Sequence, residues 1–151
     1  FDDTQITIET SPDHFDFRLK EQTIRLKTCL LVRTLKDGNN EILEFGTDQE
    51  IADSRIFYLF QENGWLDNSS RQVWALRNFL QYGIKSLRLK NRAVFRPVVH
   101  FTGVFSFDHL LMGYQFFLFS ELAFSAGARE VYFSELDHRS MQPRKFLKLT
   151  D

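Results

Sequence analysis

The sequence is poor in several features, and their scarcity excludes whole classes of protein. It contains one cysteine among 151 residues, so no disulfide can form within the chain. Its 19 basic and 20 acidic residues give a formal net charge of -1. This balance creates no strong positive field, so we expect no binding to nucleic acid. No apolar run approaches the roughly 18 residues of a membrane span, so we expect no transmembrane segment.

A secretory leader is also missing from the first residues, and cytoplasmic location is the expectation that follows. The single cysteine, Cys29, lies in the apolar run Cys29-Leu30-Leu31-Val32, where a small buried thiol is expected. Phenylalanine is in excess, with 17 copies. Because aromatic rings stabilise both cores and interfaces, the position of these rings decides what they mean.

The first third of the chain has the alternation of antiparallel strands. Apolar and polar residues alternate from Thr4 to Glu9 and again from Phe15 to Leu19, on either side of Ser11-Pro12-Asp13, which predicts a β-hairpin. Strands from Thr28 to Arg33 and from Glu41 to Phe45 flank a Gly-Asn turn and predict a second hairpin. The apolar run at 56–60 fits either a strand or a buried helical turn, and both alternatives stay open.

The second half of the chain alternates helix and strand. A cap between Asp67 and Ser70 precedes an amphipathic helix, whose apolar face is Val73, Leu76, Leu80, Ile84 and Leu87. The apolar run from Val98 to Phe101 is typical of a strand covered on both faces. A helix capped at Ser106 or Asp108 follows and runs to about Ser125, where Gly127 suits the left-handed residue past a helix end.

A last strand from Glu130 to Ser134 completes a strand, helix, strand unit with an expected right-handed, parallel crossover. Antiparallel strands followed by helix-connected parallel strands predict an α/β fold with a ribonuclease H-like mixed sheet and helices packed on it. We predict one domain over residues 1–136 and a basic C-terminal arm over 137–151.

The run from Ser125 to Tyr132, Ser-Ala-Gly-Ala-Arg-Glu-Val-Tyr, resembles the rod shape-determining proteins of the bacterial actin family. In that family the run joins a helix to a core strand of the first domain. The segments at 30–33, 42–50, 63–68 and 98–101 are similar to the family in consistent order. The resemblance implies the first-domain core of an actin-like ATPase, which has the ribonuclease H-like architecture.

The sequence departs from that family where the nucleotide would bind. Family members carry a Gly-rich turn between their first strands, whose backbone amides hold phosphate oxygens. Here neither 2–5 nor 11–14 contains glycine, and Pro12 lacks an amide donor. The family's second phosphate loop and adenosine pocket belong to a second domain, for which this sequence has no residues left. We therefore expect no cofactor and no enzyme activity from this chain alone.

Gln115 is the single catalytic candidate, because the resemblance places it where the family carries the Glu that orients water. Without a cradle for the nucleotide, we expect a polar residue at a helix edge instead. A ribonuclease H-type nuclease would need carboxylates that converge on two metal ions. The plausible members, Asp2, Asp3, Asp16 and Glu135, are expected to be solvated surface charges.

A zinc site is not expected, because the four histidines, His14, His100, His109 and His138, lack the spacing of metal ligands. His100, on its apolar strand, is expected to be a hydrogen-bonded core residue.

The Phe-rich helix that ends near Ser125 carries two apolar stripes, and an ordinary surface helix has one. The expected core stripe is Phe107, Leu111, Tyr114, Leu118 and Leu122. The second stripe contains Met112, Phe116, Phe119 and Ala123, and the resembling family usually carries Arg at the positions of Phe116 and Phe117. Either these rings meet water and form an interface, or the tail at 146–149 folds over them.

We therefore predict a non-catalytic actin-like domain that acts in protein association. The partner would be a second copy, as a homodimer, or a component of the cell-shape machinery, and the interface would contain Met112, Phe116, Phe117 and Phe119. A degenerate ATPase completed by a second chain, in which Gln115 places the attacking water, is the alternative. A nuclease comes third.

Overall fold

The computed structural model describes residues 5–60, 69–91, 96–104 and 114–134. The elements follow one another in the order β1 (Gln5–Thr10), β2 (His14–Leu19), β3 (Gln22–Lys27), β4 (Cys29–Thr34), β5 (Asn40–Phe45), β6 (Arg55–Tyr58), α1 (Ser70–Asn91), β7 (Val98–Thr102), α2 (Tyr114–Ser125) and β8 (Glu130–Phe133).

The larger sheet has five strands in the order β3-β2-β1-β7-β8. Strands β1, β2 and β3 are antiparallel neighbours, while β7 pairs parallel to β1 and β8 parallel to β7. This is the predicted mixed sheet, and α2 supplies the predicted helical connection between its two parallel strands. The predicted first hairpin is confirmed as β1 and β2.

The smaller sheet has three strands in the order β5-β4-β6, all antiparallel. Its central strand β4 is buried from Cys29 to Val32, as its apolar run predicts, and burial raises the pKa of the Cys29 thiol. The second predicted hairpin is therefore confirmed as β4 and β5, and the open run at 56–60 begins as strand β6. Strand β3 at 22–27, the third strand of the larger sheet, was not predicted.

Local sequence fixes the described helix ends. Ser69 caps α1, because its hydroxyl accepts a hydrogen bond from the Gln72 amide at 3.1 Å. At the end of α2, Gly127 has a φ of +107°, and the amide of Ala128 donates to the carbonyl of Ala123 at 3.0 Å. This left-handed ending confirms the role predicted for Gly127. The predicted start of α2 at 106–108 lies outside the described residues.

Both helices pack on one face of the larger sheet and bury the main core there. The sheet contributes alternate residues to this core: Ile6, Ile8, Phe15, Phe17, Leu19, Val99, Phe101, Val131 and Phe133. From α1, Phe79 lies edge-on to Phe15 with ring centroids 5.4 Å apart. From α2, Phe119 lies 5.5 Å from Phe101. Much of the phenylalanine excess is therefore core.

Strand β7 was predicted to be covered on both faces, and this prediction is wrong. Val99 and Phe101 are fully buried, but Val98, His100 and Thr102 on the other side are only half-buried. The uncovered side carries the polar residues His100 and Thr102, and among the described residues the helices cover just the other side. None of the helices in the described part of the chain combines the length and hydrophobicity that a membrane crossing needs.

Candidate functional site

The turn between β1 and β2 uses most of its backbone hydrogen-bond donors within itself. The Ser11 amide donates to the His14 carbonyl at 3.1 Å, and the His14 amide donates to Ser11 Oγ at 3.1 Å. Pro12 has no amide hydrogen. Of the four residues from Ser11 to His14, only Asp13 keeps an amide that these contacts do not use.

Thr28, at the junction of β3 and β4, forms two hydrogen bonds with this turn. Its amide donates to the Asp13 carbonyl at 3.1 Å, and its hydroxyl donates to the Pro12 carbonyl. On the other flank, the Thr10 hydroxyl donates to the Thr102 carbonyl at 2.7 Å. Hydrogen bonds from Thr28 and Thr10 therefore tie both flanks of the turn to neighbouring strands.

A close backbone approach lies beside the turn, at Gly103. This residue has a φ of +84°, and a Cβ added there would collide with the Thr10 carbonyl oxygen. Only glycine fits such a position without strain. The glycine at this edge of the sheet thus serves packing between the ends of β1 and β7.

Gln115 lies in the first turn of α2, at the carboxyl edge of the parallel strands. Phe116, the neighbour of Gln115, marks this edge, because its ring centroid lies 5.0 Å from that of Phe133 at the end of β8. Gln115 is 1% exposed, and its Oε1 has no hydrogen-bond partner among the described residues. The side chain is therefore buried in the first turn of the helix.

The Phe-rich helix is a core helix on both of its apolar stripes. Phe116 is 6% exposed and Phe119 is fully buried, with its ring 6.0 Å from Phe15. The physical reason is that α2 contacts both β8 and α1, so it needs more than one apolar side. Of the two alternatives for Phe116 and Phe119, exposure to water is wrong.

The remaining two members of the predicted interface are Phe117 and Met112. Phe117 is half-buried, so part of its ring is accessible, whereas Met112 lies outside the described residues. Leu118 and Leu122 are buried as the core stripe predicted. Phe107, Leu111 and the tail at 146–149 lie outside the described residues.

The opposite side of the five-stranded sheet, here called the reverse face, is the broad surface that no described helix covers. Its residues alternate with those of the core: Gln5, Thr7, Glu9, His14, Asp16, Arg18, Thr23, Arg25, Lys27, Val98, His100, Thr102, Glu130 and Tyr132. Of these, Asp16 alone is buried. One row across the strands reads Arg18, Thr7, His100, Tyr132, so a charged half adjoins an aromatic half.

The charged half is an ordered ion-pair network. Arg25 grips Asp16 with two hydrogen bonds of 2.7 and 2.9 Å, and Arg18 bridges from Glu9 at 2.8 Å to Asp16 at 3.5 Å. The hydrogen bond from Arg25 is the main cause that lowers the pKa of Asp16, although burial opposes it. Asp16 is thus a structural anion and not the solvated charge that the sequence predicted.

The aromatic half centres on His100 and Tyr132, whose ring centroids lie 6.4 Å apart. The Nε2 atom of His100 is inaccessible and has no hydrogen-bond partner among the described residues. The prediction of a hydrogen-bonded core histidine is therefore wrong at this atom. The alternation of residues along β7 and β8 is the sequence signal from which this surface could have been predicted.

Metal chemistry finds no support in the described part of the chain, where no three His, Cys, Asp or Glu side chains cluster. Asp2, Asp3, Glu135, His109 and His138 lie outside the described residues. Asp16, the remaining nuclease candidate, is paired with arginines. The neighbouring carboxylate is that of Glu9, which lies opposite Asp16 on β1 and is itself paired with Arg18.

No family model and no curated protein sequence matches this chain. Among solved structures, its fold is similar to that of MreB5 of Spiroplasma citri, which was crystallised with ADP. The TM-score is 0.59 at 11% sequence identity, and the match covers 87% of this chain and 38% of MreB5. The chain therefore spans less than half of the length of that protein. Such a likeness shows the fold alone, and it agrees with the mixed sheet: the chain has an actin-like fold.

Proposed function

We propose that this chain is an actin-like domain that acts by protein association and does not hydrolyse ATP by itself. The observation that carries the proposal is the turn at 11–14, where Pro12 and two internally bonded amides leave little for a phosphate. A phosphate loop needs several convergent backbone amides free to point at the ligand. A link to rod-shape determination rests on the likeness to MreB5 and on the family resemblance, and belongs to the proposal.

The reverse face is the surface proposed for association, with a second copy of the chain as the partner. Basic side chains lie along β3, at Arg25 and Lys27, whereas β8 at the opposite edge carries Glu130. Two copies stacked about a twofold axis parallel to the strands would bring β3 of each over β8 of the other. Arg25 and Lys27, which already form ion pairs with Asp16 and Asp48, would then lie over Glu130 of the second copy at both edges.

His100 and Tyr132 would lie near the centre of that interface. Buried interface centres favour aromatic residues. Phe116 and Phe119 belong to the core, and Phe117 is on α2, which packs on the other side of the sheet, so the interface predicted on α2 is not part of this proposal.

The absence of nucleotide binding can be tested by calorimetric titration of the chain with MgATP and MgADP. We expect no saturable binding up to millimolar nucleotide. Micromolar affinity that survives in Phe117→Ala, a variant away from the turn, would overturn the proposal that the domain works without nucleotide.

Self-association can be tested by sedimentation equilibrium of the chain and of Tyr132→Glu. The wild type should dimerise and Tyr132→Glu should be monomeric with an unchanged circular dichroism spectrum. Tyr58→Glu is the matched control, because Tyr58 is 65% exposed on the smaller sheet, and this variant should dimerise like the wild type. A wild type that is monomeric at all concentrations would remove self-association and leave a different protein as the partner.

One observation favours the alternative, a residual ATPase completed by a second chain. Gln115 is buried at the carboxyl edge of β7 and β8, with an Oε1 atom that lacks a partner among the described residues. An unpartnered amide oxygen in that place could orient a water. ATP turnover that appears only on mixing with a partner, and falls at least tenfold in Gln115→Ala, would favour this alternative.

A further inference from the structure

The amino ends of β7 and β8 lie at one edge of the larger sheet, because the two strands are parallel neighbours. Arg96 comes just before β7 and Arg129 just before β8, and both residues are exposed. The Arg129 amide donates to the Pro97 carbonyl at 2.9 Å and so joins the two strand starts. This edge therefore brings together two arginines from distant parts of the chain.

Arg96 is held in place by the end of α2. Its Nε atom donates to the Gly127 carbonyl at 3.0 Å, and its Nη2 atom donates to the Ala128 carbonyl at 2.9 Å. Cations are favoured at the C-terminal end of a helix, so this arrangement is stabilising. A guanidinium group carries more N–H donors than these two bonds use. The Arg96 fork is therefore oriented in advance and keeps donors for a further acceptor.

Helix α1 adds to the same cluster. Nη1 of Arg88 lies 3.4 Å from the position that a Cβ of Gly127 would take. Leu89, the next residue, is 80% exposed, and the exposed Lys85 lies one turn earlier on the helix. The residues here called the basic end are Lys85, Arg88, Leu89, Arg96 and Arg129.

The positive potential of the basic end is local. The ion pairs between described residues lie on β1, β2 and β3 and at Asp48, so none of them involves Lys85, Arg96 or Arg129. The chain as a whole has a formal net charge of -1, and salt screens exposed charges beyond about 8–10 Å. The basic end therefore favours an anionic group in direct contact over long-range attraction to the dense charge of nucleic acid or of a membrane.

We propose that the basic end binds an acidic segment of a partner protein. Carboxylates of that segment pair with Arg96 and Arg129, because a guanidinium fork matches a carboxylate and gives short, charge-assisted hydrogen bonds. An apolar side chain of the segment covers Leu89, which is the most exposed large apolar residue in the described part of the chain. A polypeptide offers both kinds of group, whereas a phosphate backbone offers charge alone. The basic end lies at the edge of the sheet and not on the reverse face, and it does not depend on the function proposed for that face.

The test is an NMR titration of the whole chain that follows its amide and arginine Nε–Hε signals. The probe is the synthetic peptide Glu-Glu-Leu-Glu-Glu-Leu, and the control is the same peptide with Gln in place of Glu, at constant ionic strength. We expect saturable shifts confined to the basic end with the Glu peptide and none with the Gln peptide. Arg96→Gln and Arg129→Gln should each weaken binding about tenfold, the effect of losing a charge-assisted hydrogen bond. Arg71→Gln, at an exposed position near the start of α1, should leave the affinity unchanged.

Arg96→Lys separates directional pairing from simple charge attraction. It should weaken binding almost as much as Arg96→Gln, because Lys keeps the charge but loses the guanidinium fork. Wild-type affinity in Arg96→Lys, shifts that stay linear, or equal shifts with the Gln peptide would overturn the proposal. Co-sedimentation of the chain with phosphatidylglycerol vesicles, without saturable binding of the Glu peptide, would also overturn it and identify a membrane surface instead. If Arg96→Gln fails to fold because the bonds at the end of α2 are lost, Arg129→Gln and Leu89→Ser, both at exposed positions, decide the matter.

Discussion

The two faces of the five-stranded sheet are made by the same strands, yet they differ in almost every physical respect. One face is a dry layer of phenylalanine and aliphatic side chains beneath α1 and α2. The reverse face presents charged, hydroxyl and aromatic side chains, and only Asp16 is buried there. The core face therefore supplies most of the folding stability, whereas the reverse face leaves a surface on which a partner could bind. Substitutions on the core face should change folding, whereas those on the reverse face should change association first.

The largest effect on stability is expected at the centre of the core face. Phe119 is fully buried between Phe15 and Phe101, so Phe119→Ala removes a ring and leaves a cavity. We expect a loss of about 3–5 kcal/mol in the free energy of unfolding. Urea denaturation would measure it. Tyr132→Ala, the half-buried aromatic of the reverse face, should cost less than half as much, and equal losses would remove the distinction between the two faces.

A smaller loss is expected where α1 touches the core face at Gly83. A Cβ at this position would collide with the ring of Phe17, so the helix depends on glycine for its close approach. We expect Gly83→Ala to lower stability by about 1–3 kcal/mol through overpacking, against a gain of about 1 kcal/mol in helix propensity. In a thermal unfolding double-mutant cycle, Phe17→Leu should remove most of the penalty. Additive effects would mean that the backbone accommodates the methyl group elsewhere.

The sequence predicted much of this architecture where a local signal was strong. The hairpin of β1 and β2, the apolar face of α1 and the ending at Gly127 each rest on alternation, helical spacing or a left-handed glycine. The smaller sheet was half predicted, because β6 is too short for its periodicity to separate strand from helix.

Other features depend on tertiary neighbours and leave a weak local signal. Strand β3 is an edge strand with polar residues at both ends, and Ile24 and Leu26 are too few to establish alternation. For Phe116 and Phe119 the sequence left exposure or cover by the tail open, because α2 was expected to bury one stripe, and only the packing of α2 against both β8 and α1 shows that they belong to the core. Asp16 looked like a surface charge because its partner Arg25 is on an unpredicted strand.

The buried charge of the reverse face makes stability depend on pH. The pKa of Asp16 is lowered in the folded state by its hydrogen bond with Arg25, so its contribution is present above the unfolded carboxyl pKa, about 3.9, and is lost as the pH falls through the folded pKa. We expect Asp16→Asn to lower stability by about 1–3 kcal/mol at pH 7, and the difference from the wild type to shrink in acid. Asp48→Asn, which breaks the exposed pair with Lys27, is the matched control and should have a smaller effect.

Ser120 is buried as deeply as Asp16, but it lies on the core side and its Oγ atom has no hydrogen-bond partner among the described residues. Burial of a polar group without a partner is unfavourable, so Ser120→Ala should raise the free energy of unfolding by up to about 1 kcal/mol. Part of that gain comes from the better helix propensity of alanine, and Ser86→Ala on α1 measures this part alone. If Ser120→Ala stabilises no more than Ser86→Ala, the Ser120 hydroxyl has a partner in solution. If Ser120→Ala stabilises the protein more than Ser86→Ala does, Asp16 and Ser120 differ in whether their hydrogen bonds are satisfied, since both residues are buried.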